Sequence, residues 1–440
     1  MTEFFESPDN ARTRWTCPFC LLLCDGLGVR ASVSGDSLEL AHGDCVAARA
    51  GLAQFSAQSS QATPQVDGLP CDPAVAIAAA ARLLAASRQP LFGGLGTDVA
   101  GARALYRLSC ETGAICDPAG GAALMHSVRS LQDRGSFTTT LAEVRTRADV
   151  IVCVGGLPSM KAGDFFQRCG LGEGLVPRRH VVVLGGSATA DAAGLAALSR
   201  EPGVTTETVP LQGDLFSTVA LLAALVARRA VRDVSSPGSA LTTLAALAER
   251  LLDAHYAVIV GETGSLPAHG ALVIETVNRI IGTLNASTRA GAMWLGGGNG
   301  AGTVNSVFTW MSGLPLRTRA GPLGLEHEPV CFDATRLLAD SAVDSLLWIS
   351  SFDATGTPPA TSVPLIVLGH PALAASAARP GAVFIPVSTP GIGSAGHLFR
   401  ADGGAVLPLV PVYRDTLPTL ADVLGQITNA VQALRAGAPS

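Results

Sequence analysis

Four cysteines near the amino terminus, Cys17, Cys20, Cys24 and Cys45, carry the strongest chemical signal in this 440-residue chain. The first three follow a C-x2-C-x3-C spacing, and the fourth arrives after a further twenty residues. Thiolates are soft ligands, and a tight loop plus one distant return is how a chain cages iron–sulfur or zinc. Residues 25–43 read as a hairpin that supplies the return. Residues 28–33 alternate, Ser34-Gly35-Asp36 turns, and Ser37-Leu38-Glu39-Leu40 comes back, so Cys45 is brought beside the first three. The spacing favours an iron–sulfur cluster of the 4Fe–4S kind over structural zinc, because zinc ribbons usually present two evenly spaced C-x2-C pairs. Reduced, buried thiols are the alternative.

Other chemical signals are weaker. Gly296-Gly297-Gly298-Asn299-Gly300-Ala301-Gly302 lies between an apolar run and a helical stretch, where backbone amides can cradle a pyrophosphate. Its spacing is not a dinucleotide fingerprint, and a tight strand-to-helix turn explains it more simply, as it does Gly93-Gly94-Leu95-Gly96. The eight histidines show no paired ligand spacing; His126, His327, His370 and His397 each fall near a loop or helix end. Ser127, Ser159 and Ser394 lack a nucleophile-elbow context. Asp353 and Asp402 have no second carboxylate at useful spacing, and Lys161 stands out only as the single lysine among thirty basic residues. The sequence presents no self-contained catalytic constellation.

The elements that would position these groups follow an α/β rhythm. Short runs apolar on both faces signal parallel strands covered by helices. A first set comprises Pro90-Leu91-Phe92, Ala114-Ile115-Cys116 and residues 150–154, 180–184 and 206–211. A second comprises Ala257-Val258-Ile259-Val260, Ala292-Met293-Trp294-Leu295, Leu346-Leu347-Trp348-Ile349 and residues 364–368 and 382–386. Helices are expected at 74–85, 101–108, 271–281, 302–311 and 419–434, with a helix-rich bridge over 216–252. A turn at Ala401-Asp402-Gly403-Gly404 joins two short strands. This gives two doubly wound parallel-sheet domains behind a small cysteine-rich β module. The expected boundaries are 1–60 for the module, a Ser/Gln/Pro-rich linker at 56–69, 70–250 and 251–400 for the α/β domains, and 401–440 for a hairpin and helix.

Composition narrows the function class. Hydrophobics make up 48% of the residues and charged residues only 15%, with a mean hydropathy of +0.38. No apolar run reaches membrane length uninterrupted, and the start lacks a secretory pattern, which fits a cytoplasmic protein. A chain this apolar suggests surfaces covered by partner proteins, while a compositionally biased genome accounts for the same numbers. A net charge of −5 without a basic stripe argues against nucleic acid as a partner. Cys71, Cys110, Cys116, Cys153, Cys169 and Cys331 fit a reducing compartment, where they serve as small hydrophobes.

Three ordered motifs, together spanning nearly the full length, resemble the B subunit of formylmethanofuran dehydrogenases, which holds the molybdopterin or tungstopterin of those enzymes. Thr16-Cys17-Pro18-Phe19-Cys20-Leu21-Leu22-Leu23-Cys24-Asp25 resembles that family's cluster loop. Residues 299–313 (NGAGTVNSVFTWMSG) are similar to its "GGVNxVxTWxTGxP" signature, and residues 391–403 (GIGSAGHLFRADG) to "GIxxEGTxYRxDG". The resemblance implies a fold of molybdopterin-oxidoreductase type.

The departures redirect the functional expectation. In the family a Cys-His pair follows "TGAxxD", and its Cys binds the metal at the pterin. Here Glu111-Thr112-Gly113-Ala114-Ile115-Cys116-Asp117 is followed by Ala123-Leu124 at the aligned pair. Alanine offers molybdenum or tungsten no donor atom, and leucine cannot move a proton. A polar "NPxxxHPR" region is replaced by residues 157–166, and the acid of "EGT" by Ala395. This pattern resembles the B subunit of formyltransferase/hydrolase complexes of methylotrophic bacteria, in which a related enzyme runs without its redox centre. The resemblance implies a cytoplasmic four-subunit assembly. Its amidohydrolase-type subunit releases formate, and its formyltransferase-type subunit exchanges formyl groups with tetrahydromethanopterin through a methanofuran analogue; a third subunit completes the partners. This chain would be a non-catalytic scaffold without molybdopterin or tungstopterin. An active pterin-dependent oxidoreductase subunit and an iron–sulfur electron-transfer subunit are the rival readings.

Overall fold

The computed structural model describes residues 12–32, 37–55, 62–158, 162–186, 191–231, 240–413 and 415–437. The chain begins with β1 (Arg12–Trp15), β2 (Leu27–Ala31), β3 (Leu38–His42) and α1 (Val46–Leu52). Next come β4 (Gln65–Val66), β5 (Leu69–Pro70), α2 (Pro73–Ala86), β6 (Pro90–Gly96), α3 (Val99–Thr112) and β7 (Ile115–Pro118). The middle of the chain holds α4 (Gly121–Arg134), α5 (Leu141–Arg147), β8 (Val150–Val154), α6 (Phe165–Arg168), β9 (Arg179–Leu184) and α7 (Ala192–Leu198). It continues through β10 (Val204–Val209), α8 (Leu215–Val226), α9 (Ala240–Asp253), β11 (Ala257–Glu262), α10 (Gly270–Leu284) and β12 (Ala290–Leu295). The last part carries α11 (Ala301–Ser312), β13 (Thr318–Gly321), β14 (Gly324–His327), α12 (Ala334–Ala339) and β15 (Ser345–Ser350). It closes with β16 (Leu365–Gly369), β17 (Ala382–Pro386), β18 (Gly396–Phe399), β19 (Val406–Leu409) and α13 (Leu420–Ala436).

The strands expected from the apolar runs all form, but they group differently from the expected boundaries. Unit 1 comprises Met1–Gly121, Gly297–Arg400 and Ala405–Ser440, and unit 2 comprises Ala122–Gly296 with Ala401–Gly404. The contiguous domains at 70–250 and 251–400 are therefore replaced by a pair interleaved along the sequence. The cause lies in strand pairing. β6 pairs with β15 in register Leu91↔Leu346 and Phe92↔Leu347, and β11 pairs with β8 in register Ile259↔Val152. Each strand sits beside a sequence-distant neighbour, and a parallel neighbour is never fixed by a local turn. The segment 216–252 is likewise no bridge between domains, because α8 and α9 connect β10 to β11 within one sheet.

Unit 2 is built on a five-stranded parallel sheet in the order β10-β9-β8-β11-β12. Its strands are dominated by buried Val, Ile and Leu, and they share a core with Leu222, Leu247, Leu251, Val273, Val277 and Ile281 of the covering helices. Asp214 caps α8 through the Ser217 N–H, and a Thr140–Glu143 capping box starts α5.

Unit 1 carries a nine-stranded sheet in the order β14-β13-β7-β6-β15-β16-β17-β4-β5. The five central strands are parallel, and the edges are antiparallel. Residues 62–69, expected as linker, contain β4, which pairs with β17; residues 56–61 lie outside the described residues. The segment Gly93-Gly94-Leu95-Gly96 is part of β6 and not a turn. A Cβ on Gly93 would stand 2.9 Å from Trp348 Cε3, and one on Gly94 2.6 Å from the Ile349 carbonyl. Glycine there admits a close approach by β15. The expected C-terminal unit at 401–440 is not separate either, since α13 packs on α2 and α3.

At the amino terminus β1, β2 and β3 form an antiparallel three-stranded sheet. The β2–β3 pairing, Val29↔Leu40 and Arg30↔Glu39, is the hairpin that the alternation predicts. Its turn at Ser34-Gly35-Asp36 lies outside the described residues.

Candidate functional site at the carboxyl edge of the unit 1 sheet

In unit 1, β6 and β7 step one way from the centre while β15, β16 and β17 step the other. Such a reversal opens a crevice at the carboxyl ends of the strands, the usual ligand position in doubly wound sheets. The ladder extends one residue past the strands here. Ser351 N donates to Gly96 O at 2.8 Å, His370 N to Ser350 O at 2.9 Å, and Val387 N to Gly369 O at 3.0 Å. The row carries buried polar side chains: Thr97, Asp98, Ser350, Ser351, His370, Ser388 and Thr389.

Their hydrogen bonds are incomplete. Ser351 is 0% exposed and His370 1%, yet Ser351 Oγ and His370 Nε2 have no hydrogen-bond partner. Asn299 Oδ1 and Ser394 Oγ, also in unit 1, are unpartnered as well. Asn299 Nδ2 reaches Ser350 Oγ at 3.3 Å, and Thr389 Oγ1 donates to Ser351 O at 2.7 Å. Buried polar groups are rarely left unpaired. His370 Nδ1 accepts from Ala372 N at 3.1 Å, so in the neutral ring the proton sits on Nε2. Burial drives the imidazole pKa down to about 4, against the pull of Asp353, and the Phe55 ring meets it edge-on at 5.0 Å. The carboxylates are committed elsewhere. Asp98 Oδ1 accepts from Gly101 N at the start of α3, Asp415 Oδ2 accepts from Ser388 Oγ, and Asp353 Oδ1 closes a local turn with Thr355. The rim thus offers neutral donors and acceptors for recognition, with its imidazole held uncharged and its acids tied to structure.

The glycine loop that leads into α11 is folded upon itself. Gly302 N donates to Gly297 O at 2.8 Å and Ala301 N to Gly298 O, so two of the loop's amides are taken up within the loop. Gly300 has φ +78°, and a Cβ there would stand 2.4 Å from Thr97 O. Close backbone approach accounts for the glycine. The signature residues that follow tie the unit together: Thr303 Oγ1 accepts from Phe399 N and Asn305 Oδ1 from Leu316 N.

Elsewhere in unit 1, Asp117 and Arg317 form a buried pair, 4% and 5% exposed at their side chains, with Nε to Oδ1 at 2.9 Å. Arg317 also engages Asp333 and the Pro329 carbonyl, and Ala334 N donates to Asp117 at 2.7 Å. Burial pushes the Asp117 carboxyl upward, while Arg317 and that amide hold it back. Arg317 sits at φ +63°, a conformation that a non-glycine residue keeps only when its surroundings enforce it. Cys116, the neighbour of Asp117, is fully buried in β7, and burial pushes its thiol far above the ordinary range. It packs within the strand.

Cys17, Cys20 and Cys24 lie in the loop between β1 and β2, and Cys45 stands at the start of α1; all four are buried. Cys17 N donates to Cys24 O at 2.9 Å and closes the loop. Cys45 Sγ accepts from Ala48 N at 3.4 Å as the helix cap. Thiolates suit a soft metal chemically, but among the described residues no three His, Cys, Asp or Glu side chains are arranged to hold a metal ion. Of the other cysteines, Cys153 and Cys169 are buried, with burial pushing the Cys169 thiol up to about 12. Cys110 and Cys331 are exposed, contrary to the expectation of small buried hydrophobes.

In unit 2, Ala123 and Leu124 occupy the first turn of α4. Of residues 157–166, Ala162 and Phe165 are fully buried, Phe165 and Phe166 meet at 5.2 Å, and Gly163 is exposed. Ser159 and Lys161 lie outside the described residues. His397 is exposed, and His327 Nδ1 stands 3.1 Å from Arg317 O.

No protein-family model matches the chain. A curated relative, the B subunit of the formyltransferase/hydrolase complex of Methylorubrum extorquens, is 30% identical over 344 residues, covering 78% of this chain and 89% of the relative. The chain belongs to the family of that relative. Among solved structures, the X-ray crystal structure of the Methylorubrum extorquens formyltransferase/hydrolase complex with methylofuran contains a similar chain. The match has a TM-score of 0.71 at 27% identity and covers 85% of this chain and all of that one. The mixed α/β architecture with parallel sheets is therefore shared with a solved member of the complex. Ser351 is the site residue that sequence reading passes over, and His370 is noted there only for lying near a loop or helix end. Their place is one residue beyond β15 and β16, two residues past the apolar runs that mark those strands.

Proposed function

We propose that this chain is a non-catalytic, structural subunit of a cytoplasmic formyltransferase/hydrolase complex. In this reading the complex converts the formyl group of formyl-tetrahydromethanopterin to formate through a methanofuran analogue. The partners are an amidohydrolase-type subunit, a formyltransferase-type subunit and a third subunit. One observation carries the reading: Ala123-Leu124 stands on the first turn of α4, at the position that the motif resemblance aligns with the dehydrogenase family's metal-binding Cys and its His. Two glycine-loop amides bonded within the loop support it, since they are not available to a pyrophosphate. The two sheets, each with a reversal of strand order, fit descent from a molybdopterin-oxidoreductase-type fold.

For Cys17, Cys20, Cys24 and Cys45 in their small β module we propose a structural role, either as a metal-bound knot or as a packed thiol core. No step of the reaction passes through them. Elemental analysis of the purified complex tests both points. The expected result is no stoichiometric tungsten or molybdenum and no pterin. One equivalent of either metal with bound pterin overturns the reading. Iron with acid-labile sulfide, zinc, or neither then defines the cysteine site, and a reversible cluster signal in electron paramagnetic resonance would favour electron transfer instead. Deleting this subunit should abolish assembly of the others; a fully active complex without it refutes the scaffold role.

A further inference from the structure

Unit 2 holds a second, separate constellation. A partly enclosed cavity of about 260 Å³ is lined by His126, Arg129, Ser130 and Asp133 of α4 and by His269 and Glu275 at the start of α10. The two elements meet closely, for a Cβ on Gly270 would come within 2.8 Å of His126 Cδ2. His269 is fixed by an edge contact with Phe216 at 5.8 Å, and its side chain does not cap the helix. Ser130 is 2% exposed. Its Oγ accepts from Asn278 Nδ2 at 3.2 Å, which leaves the hydroxyl proton to donate. Behind it Asn278 Oδ1 is buried without a partner.

We infer that this cavity binds a small monocarboxylate. The guanidinium of Arg129 presents a planar fork that matches the two oxygens of a carboxylate, with the His269 imidazole and the Ser130 hydroxyl as further donors. Glu275 on the same wall is paired with Arg134 at 3.4 Å, so it is partly neutralised. Asp133 is exposed at the rim and repels any anion, but a dianion such as sulfate or phosphate about twice as strongly as a monocarboxylate. The volume fits a short acid with a few waters. The site stands apart from the scaffold reading, since binding requires neither a partner nor the assembled reaction.

The test is titration calorimetry on the full-length chain with sodium formate, sodium acetate and sodium sulfate, repeated on Arg129→Gln and His269→Gln. Saturable binding of formate or acetate, weakened roughly tenfold or more by Arg129→Gln, is the expected result. His269→Gln should weaken it less. Arg129 lies at the surface of α4, and circular dichroism checks that the variant folds. Absence of saturable heat, equal binding of sulfate, or indifference to Arg129→Gln overturns the assignment. So does tight zinc binding that His269→Gln removes, because the cavity would then be a cation site. Failure of any of these leaves the scaffold reading untouched, which rests on assembly and metal content.

Discussion

The two sheets share a plan and differ in what they bury. In unit 2 the strands are lined with Val, Ile and Leu that merge into one aliphatic core. In unit 1 the sheet also covers apolar core, but its carboxyl row carries hydroxyls, an imidazole and an amide with unmet hydrogen-bonding capacity. An aliphatic wall maximises stability, at about 25 cal/mol per Å² of apolar surface removed from water. A polar interior costs stability and is kept where specificity or recognition requires it. The contrast teaches that unit 2 is built to hold its shape, whereas unit 1 retains the outline of a binding edge.

The comparison can be broken first at its most charged point. Arg317→Ala leaves Asp117 buried without its partner, and the loss should be about 3–5 kcal/mol in urea unfolding. A change below about 1 kcal/mol would mean that the pair is only decorative. Next, Ile259→Ala in the aliphatic sheet should cost about 3 kcal/mol through lost burial and a residual cavity. If it costs less than a polar-to-apolar change at Ser351, unit 2 is not the stability reservoir.

Acid provides the third test. His370 has a folded pKa lowered to about 4 from 6.5, so between those values the unfolded chain binds the extra proton. Stability should therefore be full above pH 6.5, fall as pH drops toward 4, and level off below, with a total loss of roughly 3 kcal/mol from this group. His370→Gln should flatten that part of the profile; an unchanged slope assigns it to other groups. The smallest effect is expected at Asn299→Gly. The residue sits at φ +53°, where glycine is relaxed, so the lost bond to Ser350 is offset and stability should shift by less than about 1 kcal/mol.

Much of this fold is legible residue by residue. Runs such as Val150–Val154 can only be buried strands, and the alternation of residues 28–33 announces the β2–β3 hairpin. Pairing is not legible, because nothing local in Leu91 names Leu346 as its neighbour. Contiguous domain boundaries fail for that reason. The glycines of β6 look locally like a turn because their cause, the Trp348 ring, lies far along the chain. The candidate site in unit 1 is hidden because it depends on depth, at His370 and Ser351. The cysteine cluster is visible at once, but spacing alone does not say how four thiols orient.

The interleaving of the two units also dictates an order of events during synthesis. Unit 2 is one nearly unbroken stretch inserted into the sequence of unit 1, so it can collapse as soon as β12 leaves the ribosome. β6 and β7 emerge earlier yet must wait, with half a sheet edge bare, until β15 to β17 are made. A stop codon after Gly296 would therefore release a folded insert attached to an unfinished host, a species prone to sticking and to proteolysis. Chaperone demand for this protein should concentrate on its oldest residues, not its newest.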